Sequence, residues 1–156
     1  MTEQTTLAVR RSVTVQAPPE RAFDVFTYGF SSWWPLETHH IGAATATEGI
    51  MEPRAGGRWF ERDAAGNECD WGSVLAFEPP HRVLLAWHLT PDFRYDPDPA
   101  QATEVEVTFT AVEGGTLVEL EHRGFEKHGE TGTKMADAVA APGGWGELLD
   151  LFAQRF

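Results

Sequence analysis

Apolar and polar residues alternate over residues 7–16 (LAVRRSVTVQ), where Leu7, Val9, Val13 and Val15 recur at period two and Arg11 is the exception. That pattern predicts a strand with one buried face. In the following APPERAFDVFTYGF, Pro18 and Pro19 punctuate the start and Glu20 lies in the first turn. Ala22, Phe23, Phe26 and Phe30 follow helical spacing, which predicts a short amphipathic helix at about 19–28 with Gly29 at its stop. Residues 31–46 read as loop or irregular helix. Regular turn signals then take over: Gly56-Gly57, DAAGN, PPH and the Gly114-Gly115 pair separate RWFER, ECDWGSVLAFE, RVLLAWHLT, TEVEVTFTAVE and TLVELEHRGF. These predict an antiparallel meander of about six further strands. The acidic, proline-rich PDFRYDPDPAQA reads as a surface loop.

After residue 124 the pattern changes. EKHGETGTKMADAVAA is polar and weakly helical, and Pro142, Gly143 and Gly144 break it. Trp145, Leu148, Leu149, Phe152 and Phe156 then mark a helix with one buried face. The order strand, helix, meander, helix fits the α+β class, with a strongly bent antiparallel sheet of about seven strands wrapped around a C-terminal helix.

Composition narrows the partners. The 156 residues are 42% hydrophobic and 23% charged, and 24 acidic against 12 basic residues give a net charge of -12. Length and composition are those of one globular domain, 7–156, after a flexible tail at 1–6. The acidic surface excludes nucleic acid and anionic membrane as natural partners. A single cysteine, Cys69, excludes an internal disulfide. No apolar run has the length of a membrane span or a secretory h-region, so a cytoplasmic protein is expected.

The chain resembles the SRPBCC superfamily, also called START-like or birch-pollen-allergen-like, and within it the group named for the activator of the heat-shock-protein-90 ATPase. The resemblance rests on VTVQAPPERAFDVFT at 13–27, WW at 33–34, AGGRW at 55–59, WGSVLAFEPPHRVLLAW at 71–87, TEVEVTFTAVEGGTLVELEHRGF at 103–125 and GWGELLDLF at 144–152. It implies the helix-grip fold, with a long C-terminal helix and a deep, mostly apolar cavity between sheet and helix. It implies no single catalytic group. The eukaryotic co-chaperones of the group carry a further N-terminal domain, and the resemblance here covers the part similar to their C-terminal domain.

Candidate site residues follow. Trp33, Trp34, Trp59, Trp71, Trp87 and Trp145 all fall in or beside the segments just quoted; they are either large core side chains or the walls of an aromatic pocket. His39-His40 is a poor metal pair, because neighbours in an extended loop point in different directions, and no ligand spacing accompanies it. One of the two is expected at the pocket mouth. Alternation places His122 on the same strand face as Val118 and Leu120, so it is the histidine expected to look inward, as a buried neutral imidazole or as a polar anchor or general base. Phe26, Phe109 and Leu149 complete the expected ligand-contacting set. Glu68, Cys69 and Asp70 lie near Trp71, but no feature marks an activated thiolate. No metal and no cofactor are expected.

The leading expectation is a module that binds a small hydrophobic molecule in a tryptophan-lined cavity. The alternatives are a polyketide cyclase or aromatase-like enzyme using that cavity, and a protein-interaction domain of co-chaperone type. A His–carboxylate pair inside the cavity would mark the enzyme, and an exposed apolar patch over a filled interior would mark the interaction domain.

Overall fold

The computed structural model describes residues 8–156; the expected tail at 1–6 and Leu7 lie outside the described residues. Seven antiparallel strands form one sheet: β1 (Ala8–Val15), β2 (Ala46–Met51), β3 (Arg58–Asp63), β4 (Glu68–Glu78), β5 (Arg82–Trp87), β6 (Thr103–Val112) and β7 (Gly115–Arg123). Their spatial order is β1-β7-β6-β5-β4-β3-β2, so β2 to β7 run as a meander and β1 closes onto the last strand. β2 is the strand that no turn signal delimits in the sequence. The helices are α1 (Pro19–Thr27), α2 (Phe30–Trp33), α3 (Thr131–Ala140) and α4 (Trp145–Ala153). Among the described residues no helix is long and apolar enough to cross a membrane.

Alternation sorts the two faces. Val118, Leu120 and His122 of β7, Val105, Val107 and Phe109 of β6, and Val83, Leu85 and Trp87 of β5 are buried under the helices. The opposite face carries an ion-pair lattice in which Arg82, Arg123 and Arg10 meet Glu106, Glu104 and Glu121. Such exposed pairs contribute little each, so burial holds the sheet to the helices.

The C-terminal helical region is two short helices because Pro142, Gly143 and Gly144 interrupt it. α4 has nine residues and buries Trp145, Leu148, Leu149 and Phe152. Arg11, the exception in β1, has a structural reason. Its guanidinium reaches across to donate to the carbonyl of Ala140 at 3.2 Å, at the C-terminus of α3, where a positive charge complements the helix dipole.

Candidate functional site

A cavity of about 330 Å³ opens where the 34–41 loop, the start of the β5–β6 connection, α3 and the first turn of α4 meet. Its walls are rich in aromatic side chains. Trp34, Trp71, Trp87 and Trp145 contribute four indoles, and Leu89, Val139 and Leu148 add aliphatic surface. Thr38, His39 and His40 supply polar atoms on one side, and Phe93 stands on the other. Among the described residues no carboxylate, lysine or arginine lines it.

The indoles form a closed circuit. Ring centroids are 5.3 Å apart for Trp34–Trp71, 5.6 Å for Trp71–Trp59, 5.7 Å for Trp59–Trp87, 5.8 Å for Trp87–Trp145 and 5.9 Å for Trp145–Trp34. Tilted and edge-to-face pairs at such spacings each add about 0.5–1.5 kcal/mol beyond area burial. Trp59 completes the circuit from behind the cavity wall.

Three lining indoles are oriented by hydrogen bonds from their N–H groups. Trp34 donates to the carbonyl of His39 at 3.0 Å. Trp71 donates at 2.7 Å to Glu61, a carboxylate only 2% exposed. Among the described residues Glu61 has no cationic partner; it accepts instead from the backbone N–H groups of Ile41 (2.6 Å) and Gly42 (3.2 Å), so it joins the Trp71 wall to the loop that carries the histidines. Its place follows from alternation: Glu61 shares the inward face of β3 with Trp59, while Phe60 between them points the other way and is covered by the guanidinium of Arg58 at 3.9 Å. The β3–β4 register shifts beside it, leaving Trp71 as the extra residue of β4. Trp145 donates to Nδ1 of His122 at 3.0 Å. Among the described residues the N–H groups of Trp59 and Trp87 have no acceptor; the two rings stand edge to face with each other at 5.7 Å.

The bond from Trp145 fixes the tautomer of His122. Because Nδ1 accepts, Nε2 carries the proton and donates to Thr103 Oγ1 at 2.8 Å; that hydroxyl in turn faces the carbonyl of Trp87 at 3.4 Å. His122 is 0% exposed, and burial, with the charge of nearby His128 second, pushes its pKa from 6.5 down to about 3. The imidazole is therefore neutral at physiological pH and sits behind the cavity wall, holding Trp145.

His39 ties the two sides of the rim together. Its Nε2 donates to the carbonyl of Gly143 at 2.6 Å, and its Nδ1 lies 2.8 Å from Thr38 Oγ1. Gly143, at φ +89°, makes the turn between α3 and α4 that only glycine adopts freely. His40 Nδ1 lies 3.1 Å from the carbonyl of Gly42.

Of the residues singled out from the sequence, Trp34, His39, Trp71, Trp87 and Trp145 line the cavity. Phe26, Trp33, Trp59, Phe109, His122 and Leu149 do not. Phe26 and Trp33 pack with Phe152 in the core between helices and sheet, at centroid distances of 5.4 and 5.5 Å, with Phe109 of β6 at 5.8 Å from Phe26. Leu148, one step earlier on the same helical stripe, takes the lining place expected of Leu149. The sequence reading omitted Leu89, Phe93 and Val139; only their apolar character marks them, and Phe93 lies inside the proline-rich stretch that Leu89 precedes. Among the described residues no group of three or more His, Cys, Asp or Glu could hold a metal ion.

The model of the activator of Hsp90 ATPase homolog 1-like proteins matches residues 16–156. No curated protein matches the chain. Among solved structures, the chain is similar to an anthrahydroquino-gamma-pyrone synthase, Txn09, at 35% identity over 100% of both chains, with a TM-score of 0.66. It is similar to CalC, a self-sacrificing resistance protein from Micromonospora echinospora, at 32% identity over 95% of this chain and 92% of that one, with a TM-score of 0.68. Protein MLL2253 from Mesorhizobium loti, 22% identical over 94% of each chain with a TM-score of 0.65, shares the fold. With a family model spanning nearly its whole length and two full-length relatives above 30% identity, the chain belongs to the activator of Hsp90 ATPase homolog 1-like family of the SRPBCC superfamily.

Proposed function

We propose that this protein binds a flat, uncharged aromatic molecule in the tryptophan-lined cavity. The observation that carries the reading is the lining itself: four indoles, aliphatic side chains and, among the described residues, no carboxylate, lysine or arginine. A volume of about 330 Å³ lies at the small end of the roughly 300–1,000 Å³ typical of ligand pockets. Indole walls favour ring systems, which bury area and gain from offset or edge-to-face contact. The likeness to a synthase named for a fused-ring anthrahydroquinone product supports the same ligand class.

The test is calorimetric titration with emodin, a hydroxylated anthraquinone, alongside Val139→Trp, which fills the cavity without leaving a void. Saturable one-to-one binding by the wild type and a loss of about tenfold or more in the variant, roughly 1.4 kcal/mol, are expected. Unchanged affinity in a folded Val139→Trp would place emodin elsewhere, and no binding by the wild type would end the reading.

A second reading, ring-closing catalysis in the same cavity, draws support from that relative's name and from His40, whose Nε2 makes no hydrogen bond to protein among the described residues. His39 has both ring nitrogens engaged, and the lining offers no carboxylate to complete an acid–base pair. Recovery of an uncyclised aromatic polyketide precursor unchanged after incubation favours binding alone; its cyclisation, abolished by His40→Ala, would select the enzyme.

A further inference from the structure

Phe93 is the one non-glycine residue with a positive φ among the described residues, at +58°. The left-handed region is disfavoured for a bulky side chain, whereas asparagine and glycine enter it readily. The turn around it is closely tied. Its N–H donates to the carbonyl of Thr90 at 2.8 Å, and the N–H of Thr90 donates to the carbonyl of Arg94 at 2.8 Å. Asp92, beside it in the turn, meets Lys134 of α3 at 3.0 Å on the surface, which shows that the turn lies next to the helix that supplies Val139 to the cavity. The ring gains little from this arrangement in the free protein, since the residue remains 45% exposed while lining the cavity. Folding alone would be served better by a small residue at this position. A strained backbone that holds a large apolar ring half in solvent at the rim of a pocket is a feature of ligand contact.

We infer that Phe93 forms an outer subsite, where its ring stacks on the terminal ring of a bound fused aromatic as that ring emerges from among the indoles. The inference rests on the proposed binding of an aromatic ligand and adds a length requirement to it. Ligands of three or more fused rings reach Phe93, and two-ring ligands sit among the tryptophans without it. Phe93 thereby acts as the determinant of ligand length.

The experiment titrates wild type, Phe93→Asn and Phe93→Trp with two probes, emodin (three fused rings) and naphthol (two). Asparagine tolerates the left-handed turn, so Phe93→Asn removes the ring and keeps the backbone; circular dichroism and thermal unfolding check that it does. Phe93→Asn is expected to weaken emodin about tenfold, the size of one aromatic stacking contact, and naphthol by less than about twofold. Phe93→Trp should restore emodin affinity. Unchanged emodin binding in Phe93→Asn, an equal loss for both probes, or failure of Phe93→Trp to restore affinity overturns the subsite while leaving the cavity reading intact. Wild-type protein that binds neither probe removes the cavity reading, and the subsite with it.

Discussion

Replacing His122 by glutamine should remove a specific part of the protein's acid sensitivity. The folded chain holds this imidazole neutral, with its pKa at about 3, against 6.5 when free of the fold. Between those values the unfolded chain binds the extra proton, so stability falls as pH falls through that window and is unaffected by this group well above 6.5. At pH 5 the proton taken up on unfolding favours the unfolded state by about 2 kcal/mol relative to pH 7, at about 1.4 kcal/mol per unit of pKa difference. The group is fully buried, so solvent does not screen that figure away. Glutamine cannot titrate, and its carbonyl can still accept from Trp145. Urea unfolding of both proteins at pH 7, 6 and 5 measures the effect. The variant starts less stable, because the Nε2–Thr103 bond is changed, but the wild type should lose about 2 kcal/mol more than the variant between pH 7 and 5. The carboxylates held low by arginines, Glu106 beside Arg82 and Glu68 beside Arg62, are common to both proteins and cancel in the comparison. Parallel losses in the two proteins would refute the claim that His122 stays neutral and dry.

Leu149 is fully buried in α4, so Leu149→Ala should destabilise by roughly 2–5 kcal/mol in chemical denaturation, and a change below about 1 kcal/mol would mean the helix is not packed as described. Burial first, and the charge of Glu61 second, push the Cys69 thiol above its ordinary value, so less of it is thiolate at neutral pH. Iodoacetamide should modify Cys69 several-fold more slowly than it modifies glutathione, read by mass spectrometry on a chain with no other cysteine; equal rates would show a thiol unperturbed by its surroundings.

Much of this architecture is written in periodicity. Val118, Leu120 and His122 share a face because strands alternate, and that rule alone puts the imidazole inside, beside Trp87 at 5.0 Å. The α4 stripe likewise follows from 3.6-residue spacing. The site is less legible where a side chain's neighbours, and not its period, decide its place. Alternation puts Glu61 on the inward face with Trp59, but nothing in RWFER announces the Trp71 N–H and the backbone N–H groups of Ile41 and Gly42 that let a carboxylate stay there. Phe93 reaches the cavity because its turn enters the left-handed region, which an acidic, proline-rich stretch read as surface loop does not encode in any recognisable pattern. Trp33 and Trp34 are adjacent in sequence yet serve opposite sides, the first in the core with Phe26 and the second in the cavity wall; residue type alone cannot divide them.

The closed circuit of indoles has a spectroscopic consequence. Five chromophores within 6 Å of their neighbours, with Trp33 a sixth at 5.7 Å from Trp34, are expected to exchange excitation before they emit, so that the protein should fluoresce as one coupled antenna instead of as separate reporters. An acceptor seated against any member drains the whole set, and an absorbing guest in the cavity extinguishes emission from Trp59 without touching it. Single tryptophan-to-phenylalanine exchanges therefore do not isolate individual signals. The near-ultraviolet dichroism of the folded chain carries the imprint of the circuit as a unit, and vanishes as a unit when the circuit opens.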